Sequence, residues 1–215
     1  MGGRSFLHKP FKYSFSNVSL ILIGINIAVY LLTSVMPALK GYLALNVVYM
    51  VRYKMLWQPF TYMFVHSGLS HIIFNMLGLL FFGISVERSI GSKEFLLMYL
   101  IAGVCSGVFS FAVYWAGGMY FVFLMGASGA IYGILLAYAV IYPRSVLLVW
   151  GILPVPAPLL VLIYAGIEIV SQLAGSRYGV AHMTHLAGFA AVWLYFVVRM
   201  GINPYKVWKN AYYNR

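Results

Sequence analysis

The chain has 215 residues, 63% of them hydrophobic and only 8% charged, with a mean hydropathy of +0.91. A water-soluble domain of this length needs far more charge to cover its surface, so that class is excluded and the lipid bilayer is the expected solvent. The net charge of +11 does not point to nucleic acid: Arg4, Lys9 and Lys12 precede the first apolar run and Arg199, Lys206, Lys209 and Arg215 follow the last, the pattern of topology signals and headgroup anchors.

Spanning segments in lipid must satisfy their backbone groups internally, so an all-α polytopic membrane protein is expected. Each span needs roughly 20 residues, and six are placed along the sequence. The first runs near Val18 to Met36, a retained helix rather than a cleaved leader. The second runs near Phe60 to Ser85 and the third near Glu94 to Ala116. The fourth runs near Ser128 to Tyr142, the fifth near Pro158 to Ala174 and the sixth near Val180 to Met200.

The whole of 1–215 reads as one domain, with tails at 1–17 and 201–215 around a core at 18–200. An even number of spans puts both termini on one side, and their basic residues make that side the cytoplasm. The Glu87–Lys93 turn and the Pro143–Pro158 connection then face the cytoplasm too. Residues 37–58, 117–127 and 175–179 face outside. The first of these mixes Tyr42, Tyr49, Tyr53 and Trp57 with Lys40, Arg52 and Lys54, which suits a segment lying at the interface.

The fourth span is short: about 15 residues reach only ~22 Å. The uncharged stretch from Gly117 to Ala127 is therefore expected to dip into the membrane as a re-entrant loop, leaving Ser128 at a recessed helix start.

Scarcity limits the chemistry. There is no aspartate, and the glutamates are Glu87, Glu94 and Glu168, too scattered for a carboxylate pair. The single cysteine, Cys105, allows no intrachain disulfide and no cysteine zinc site, and reads as a small packing residue. No metal or cofactor is expected.

Polar residues inside spans are costly and tend to face the bundle interior. His71 and Asn75 share a face in the outer half of the second span. Ser128 opens the fourth, and His182 and His185 lie in the first turns of the sixth. Three helices thus bring Asn, Ser and His to a similar depth, and a serine within reach of a histidine makes a nucleophile–base pair. Without an aspartate this is a dyad rather than a triad. Gly129 and Gly133, with Ala187, Gly188 and Ala191, form small faces that let two helices approach closely. His66 and His182 read as polar anchors. Glu168 reads as a partner of Gln172 or of a cation near the outer interface; the alternatives are a polar element of a lateral gate and a carboxylate that orients His185.

These motifs resemble one family. His66-x4-His71-x3-Asn75, Gly126-Ala127-Ser128-Gly129 and His185-x2-Gly188 are similar in order and spacing to the rhomboid proteases, over nearly the whole chain and in the six-helix bacterial form. Glu87-Arg88 with Gly91 resembles the family's Glu-Arg turn after the second helix. Trp57-Gln58 resembles its first-loop Trp-Arg pair, with Gln in place of Arg. Val192 stands where many rhomboids carry another glycine, a departure that bears on how tightly the fourth and sixth helices meet.

The resemblance implies an intramembrane serine endopeptidase in a bacterial plasma membrane. Ser128 would be nucleophile and His185 general base. His71, Asn75 and the Ser128 N–H would form the oxyanion hole, with Tyr132 packed on His185 and Gly126, Gly129 and Gly188 in support. The partners implied are transmembrane protein substrates and membrane lipid. The rivals are a catalytically silent rhomboid relative that binds membrane clients and, more distantly, a transporter with a His and Glu proton path.

Overall fold

The computed structural model describes residues 10–149, 151–174 and 180–213. The expected outer loop at 175–179 and the outermost ends of both tails lie outside the described residues. Among the described residues, eleven α-helices follow in chain order: α1 (Val18–Val35), α2 (Ala38–Leu43), α3 (Val47–Arg52), α4 (Gln58–Thr61), α5 (Leu69–Gly78), α6 (Ile84–Ile90), α7 (Ser92–Ala116), α8 (Ser128–Ile141), α9 (Ala157–Leu173), α10 (Val180–Tyr195) and α11 (Pro204–Tyr213). A π-helical turn, Leu79–Gly83, joins α5 to α6, and another, Phe196–Met200, extends α10.

Among the described residues, four continuous helices are long and apolar enough to cross a membrane: Val18–Val35, Leu69–Ile90, Ser92–Ala116 and His182–Met200. Two shorter apolar helices, Ser128–Ile141 and Ala157–Leu173, accompany them. Large apolar side chains such as Leu31, Phe74, Phe81 and Val170 point outward, the reverse of a soluble protein and the arrangement that a lipid solvent favours. The chain is an integral, multi-pass, predominantly helical membrane protein.

α7, α8 and α10 pack together at the centre. Their contact faces are small, so backbones rather than long side chains meet. Gly103 and Gly107 of α7 admit Met63 and Tyr62, and the Tyr62 hydroxyl donates to the Gly103 carbonyl at 2.7 Å.

Two buried carboxylates tie helix ends. Glu87 accepts from the Val18 and Ser19 amides at 2.6 and 2.8 Å and from the Ser92 hydroxyl at 2.5 Å, placing negative charge against the N-terminus of α1 where the helix dipole favours it. Glu94 accepts from the Phe11 amide, from Arg199 Nε at 2.9 Å and from the Tyr195 hydroxyl. An ion pair buried this well holds the start of α7 to the end of the last span.

Several expectations need correction. The second span begins at Leu69 rather than near Phe60. The preceding stretch forms α4 and a 3₁₀ turn, Tyr62–Phe64, because the backbone turns extended at Val65 and Gly68 and the segment is anchored sideways: Thr61 Oγ1 donates to Leu43 O at 2.7 Å and Tyr62 O accepts from Gly126 N at 3.0 Å. The connection after Pro143 is a two-stranded antiparallel hairpin, β1 (Val146–Val149) with β2 (Leu153–Pro156), with Val146 opposite Pro156. Val, Leu and a Gly151 at φ +72 suit strand and turn.

The C-terminal tail carries α11, with Pro204 at its start and Asn203 Oδ1 accepting from Lys206 N. It docks on the end of α8 through Trp208 Nε1 to Ala139 O at 2.9 Å and Tyr212 to Pro143 O at 2.7 Å. Cys105 faces outward instead of packing inside.

The loop between α7 and α8 is held by protein backbone. Leu124 bridges Leu45 through two hydrogen bonds, and Asn46 Nδ2 donates to the carbonyls of Tyr120 and Val122 at 3.1 Å each. Gln58 is wholly buried and holds the opposite strand of this tether: its Oε1 accepts from Asn46 N at 3.0 Å and its Nε2 donates to Gly41 O at 3.1 Å. The amide thus anchors the first loop by both of its ends, which an arginine could not do because it lacks an acceptor.

Candidate active site

Three helices begin on the same side of the bundle and carry the polar residues in their opening turns. α5 supplies His71 and Asn75, α8 begins at Ser128, and α10 supplies His182 and His185. Gly126, at φ +116, turns the loop into α8, a conformation that disfavours any residue with a Cβ. Ser128 then occupies the first helical position, where a backbone N–H has no intrahelical acceptor.

Ser128 Oγ lies 2.8 Å from His185 Nε2. The other ring nitrogen, Nδ1, lies 2.8 Å from Glu168 Oε1. A carboxylate only accepts, so Nδ1 carries the proton and Nε2 faces the serine hydroxyl as an acceptor. The imidazole also stacks on Tyr132, with ring centroids 4.1 Å apart and planes 10° from parallel. The Tyr132 hydroxyl donates to Glu168 Oε1 at 2.5 Å.

Glu168 is buried and is shared further: its second oxygen contacts His182 Nδ1. The expectation that Glu168 pairs with Gln172 or an interfacial cation is therefore corrected. It accepts instead from one side chain on α8 and two on α10. The reason is energetic: a carboxylate sunk in an apolar bundle needs several donors, and these three side chains converge on it. His182, read from the sequence as a polar anchor, finds a partner in this carboxylate.

The close approach of α8 and α10 rests on missing side chains. A Cβ on Gly188 would stand 1.9 Å from the Gly129 carbonyl oxygen. One turn further, Val192 fills the space over Gly133, where a Cβ would meet Val192 Cγ2 at 2.6 Å. The valine at 192 does not hold the helices apart, because Gly133 receives it.

His71 and Asn75 line the neighbouring helix. The Ser67 amide and hydroxyl lie 3.5 and 2.9 Å from His71 Nδ1. A backbone N–H can only donate, so Nδ1 is the acceptor and Nε2 bears the ring proton. Nε2 reaches the turn before Ser128: a Cβ on Gly126 would lie 2.5 Å from it. Asn75 is buried and donates one amide hydrogen to the His71 carbonyl at 2.7 Å, leaving its second. His66 is not the hydrogen-bonded anchor expected from the sequence. It is buried, neither ring nitrogen has a hydrogen-bond partner among the described residues, and its ring meets that of His71 in a T-shaped contact with centroids 5.1 Å apart and planes at 69°.

A multi-pass helical membrane protein that places a serine–histidine contact at the mouth of three converging helices is a narrow class. Residues 53–201 match the family model of the Rhomboid domain, and the chain belongs to the rhomboid family. It is 33% identical over 152 residues to RHOMBOID-like protein 1 of Arabidopsis thaliana, covering 70% of this chain and 36% of that protein. It is 34% identical over 146 residues to the mitochondrial RHOMBOID-like protein 12 of the same plant, covering 60% of this chain and 43% of the relative. It is 38% identical over 96 residues to rhomboid protease GluP of Bacillus subtilis, covering 43% of this chain and 17% of the relative. The matched stretch thus spans less than half the length of each of these relatives.

Proposed function

We propose that this protein is an intramembrane serine endopeptidase that cuts peptide bonds in or near transmembrane segments of other membrane proteins. The observation that carries the reading is the 2.8 Å contact between Ser128 Oγ and His185 Nε2, within the range for a nucleophile and its general base. Ser128 attacks the substrate carbonyl while its proton passes to His185 Nε2, and His185 later returns a proton to the leaving amine. The oxyanion receives the Ser128 N–H at the start of α8, the Nε2–H of His71 and the free amide hydrogen of Asn75, with the α8 dipole adding to them.

The six apolar helices form one unit that spans a bacterial plasma membrane. Both termini lie in the cytoplasm, with Lys12, Arg88, Arg144, Lys206 and Lys209 on that side.

The test is purified protein in detergent or liposomes with a model single-span substrate. Wild type is expected to cleave it and to be labelled at Ser128 by a serine-reactive phosphonate. Ser128→Ala and His185→Ala are expected to lose both. A folded wild type that neither cleaves nor labels would indicate a silent, client-binding member instead.

A further inference from the structure

We infer that Glu168 is a positioning residue that converts the Ser128–His185 pair into a Ser–His–Glu triad. The inference rests on the protease reading above and adds a third member to it.

The geometry has three parts. First, Glu168 Oε1 sits 2.8 Å from His185 Nδ1 while Nε2 of the same ring sits 2.8 Å from Ser128 Oγ. Carboxylate, imidazole and hydroxyl are thus in series through opposite edges of one ring. Second, the carboxylate is itself immobilised: Tyr132 donates to Oε1 and His182 Nδ1 meets Oε2. Third, the other two glutamates are committed elsewhere, Glu87 to the start of α1 and Glu94 to Arg199 and Tyr195. Glu168 is the acidic group that meets the site histidine.

Chemistry follows from acceptor counting. Both carboxylate oxygens accept, so the ring must present Nδ1–H, which leaves a lone pair on Nε2 for the serine proton. During attack, the Ser128 Oγ–carbon bond forms as the carbonyl π pair moves to oxygen. The Oγ proton moves to Nε2. Nδ1–H stays on the ring, and Glu168 stays ionised beside the new imidazolium, which offsets its charge. Tyr132 stacked on the opposite face prevents the ring from rotating away. Unrelated hydrolase folds place an Asp or Glu in the same position relative to serine and histidine. Here it comes from α9, a helix that contributes nothing else to the reacting atoms.

The experiment compares wild type with Glu168→Gln and Glu168→Asp in detergent, using a fluorogenic membrane substrate, phosphonate labelling and thermal unfolding. The Gln variant keeps size but can donate to Nδ1, favouring the tautomer that points a proton at Ser128. It is expected to lose about 100-fold or more in kcat, with KM within about threefold and the unfolding temperature nearly unchanged. Asp, one methylene shorter but still only an acceptor, is expected to retain more kcat than Gln. Wild type is also expected to show a far-downfield proton resonance correlated with a ring nitrogen of labelled histidine. The resonance should be lost in Glu168→Gln and in His185→Ala.

Glu168→Gln cleaving like wild type, or Gln and Asp falling equally, overturns the inference. If Glu168→Gln does not fold, absence of the His185 resonance from wild type overturns it. Failure of wild type to cleave or label sinks the protease reading, and the resonance still reports on the carboxylate contact.

Discussion

Gly188 of α10 touches Gly129 of α8 so closely that a Cβ on the first would meet the carbonyl oxygen of the second at 1.9 Å. No side-chain rotation relieves that clash, because the obstacle is backbone. The contact sits one residue after Ser128 and three after His185, so it sets the distance between the two. Gly188→Ala is expected to push the helices apart. Overpacking of this kind costs about 1–3 kcal/mol, and a displacement near 1 Å at a reacting pair costs about 100-fold in rate. Both show in a thermal melt and a cleavage assay, with a larger loss of kcat than of folded protein. Full activity in Gly188→Ala would mean that this contact does not set the serine–histidine distance.

The same logic applies at Gly126 against His71. The loop backbone passes His71 Nε2 at a place where a Cβ would lie 2.5 Å away, and its φ of +116 adds backbone strain for any other residue. If His71 is an oxyanion donor, His71→Ala loses about 100-fold in kcat, the usual cost of one such donor. Gly126→Ala loses a similar amount by displacing the same ring. The double variant is expected to fall little below either single one, because both remove one interaction. Additive losses would place the two residues in separate roles.

Tyr132 makes two contacts that two substitutions separate. Tyr132→Phe keeps the stack on His185 and removes the hydroxyl donor to Glu168. A hydrogen bond to a charged group is worth about 1.5–3 kcal/mol, but two histidines still hold the carboxylate, so the loss is expected at the low end, about tenfold in kcat. Tyr132→Ala removes the stack as well and frees the ring to rotate. It is expected to lose about tenfold more than the Phe variant. Equal activity in the two variants would assign the whole effect to the hydroxyl.

Much of this was readable from residue chemistry. Serine, histidine and asparagine in apolar helices tend to face inward, and the outer parts of the second, fourth and sixth spans carry them, so Ser128, His185, His71 and Asn75 stand out from the sequence. Glu168 did not. In the sequence its nearest polar neighbour on the same helix face is Gln172, and that local pairing hides the true one. Its partners lie on α8 and α10, and which face of α9 meets them depends on the tilt and register of that helix. Periodicity does not encode either.

The hairpin was hidden by Pro154, Pro156 and Pro158, which read as loop because proline does not donate to a ladder. α11 was hidden by its polarity: its apolar stripe matters only once Trp208 finds the exposed end of α8. The short α2 and α3 were legible only as an aromatic and basic segment at an interface. Their boundaries depend on Gln58 and Asn46 reaching across to other loops.

Glu87 provides the contrast that isolates a carboxylate used for stability. It is wholly buried, accepts from the Val18 and Ser19 amides and from Ser92, and lies among the residues that join α1 to the α6–α7 turn rather than at Ser128. Gln at this position keeps one carbonyl acceptor, removes the charge that complements the α1 dipole, and turns an NH₂ group toward donors. Loss of a charged acceptor at a helix start is worth about 1–2 kcal/mol. Glu87→Gln is therefore expected to lower the unfolding temperature and yield of folded protein while leaving kcat of the folded fraction within about twofold of wild type. Set beside Glu168→Gln, the two isosteric changes should separate cleanly, one moving stability and the other turnover. A Glu87→Gln protein that melts like wild type would show that Ser92 and water satisfy the α1 amides without the charge, and the dipole argument for this end of the bundle would fail.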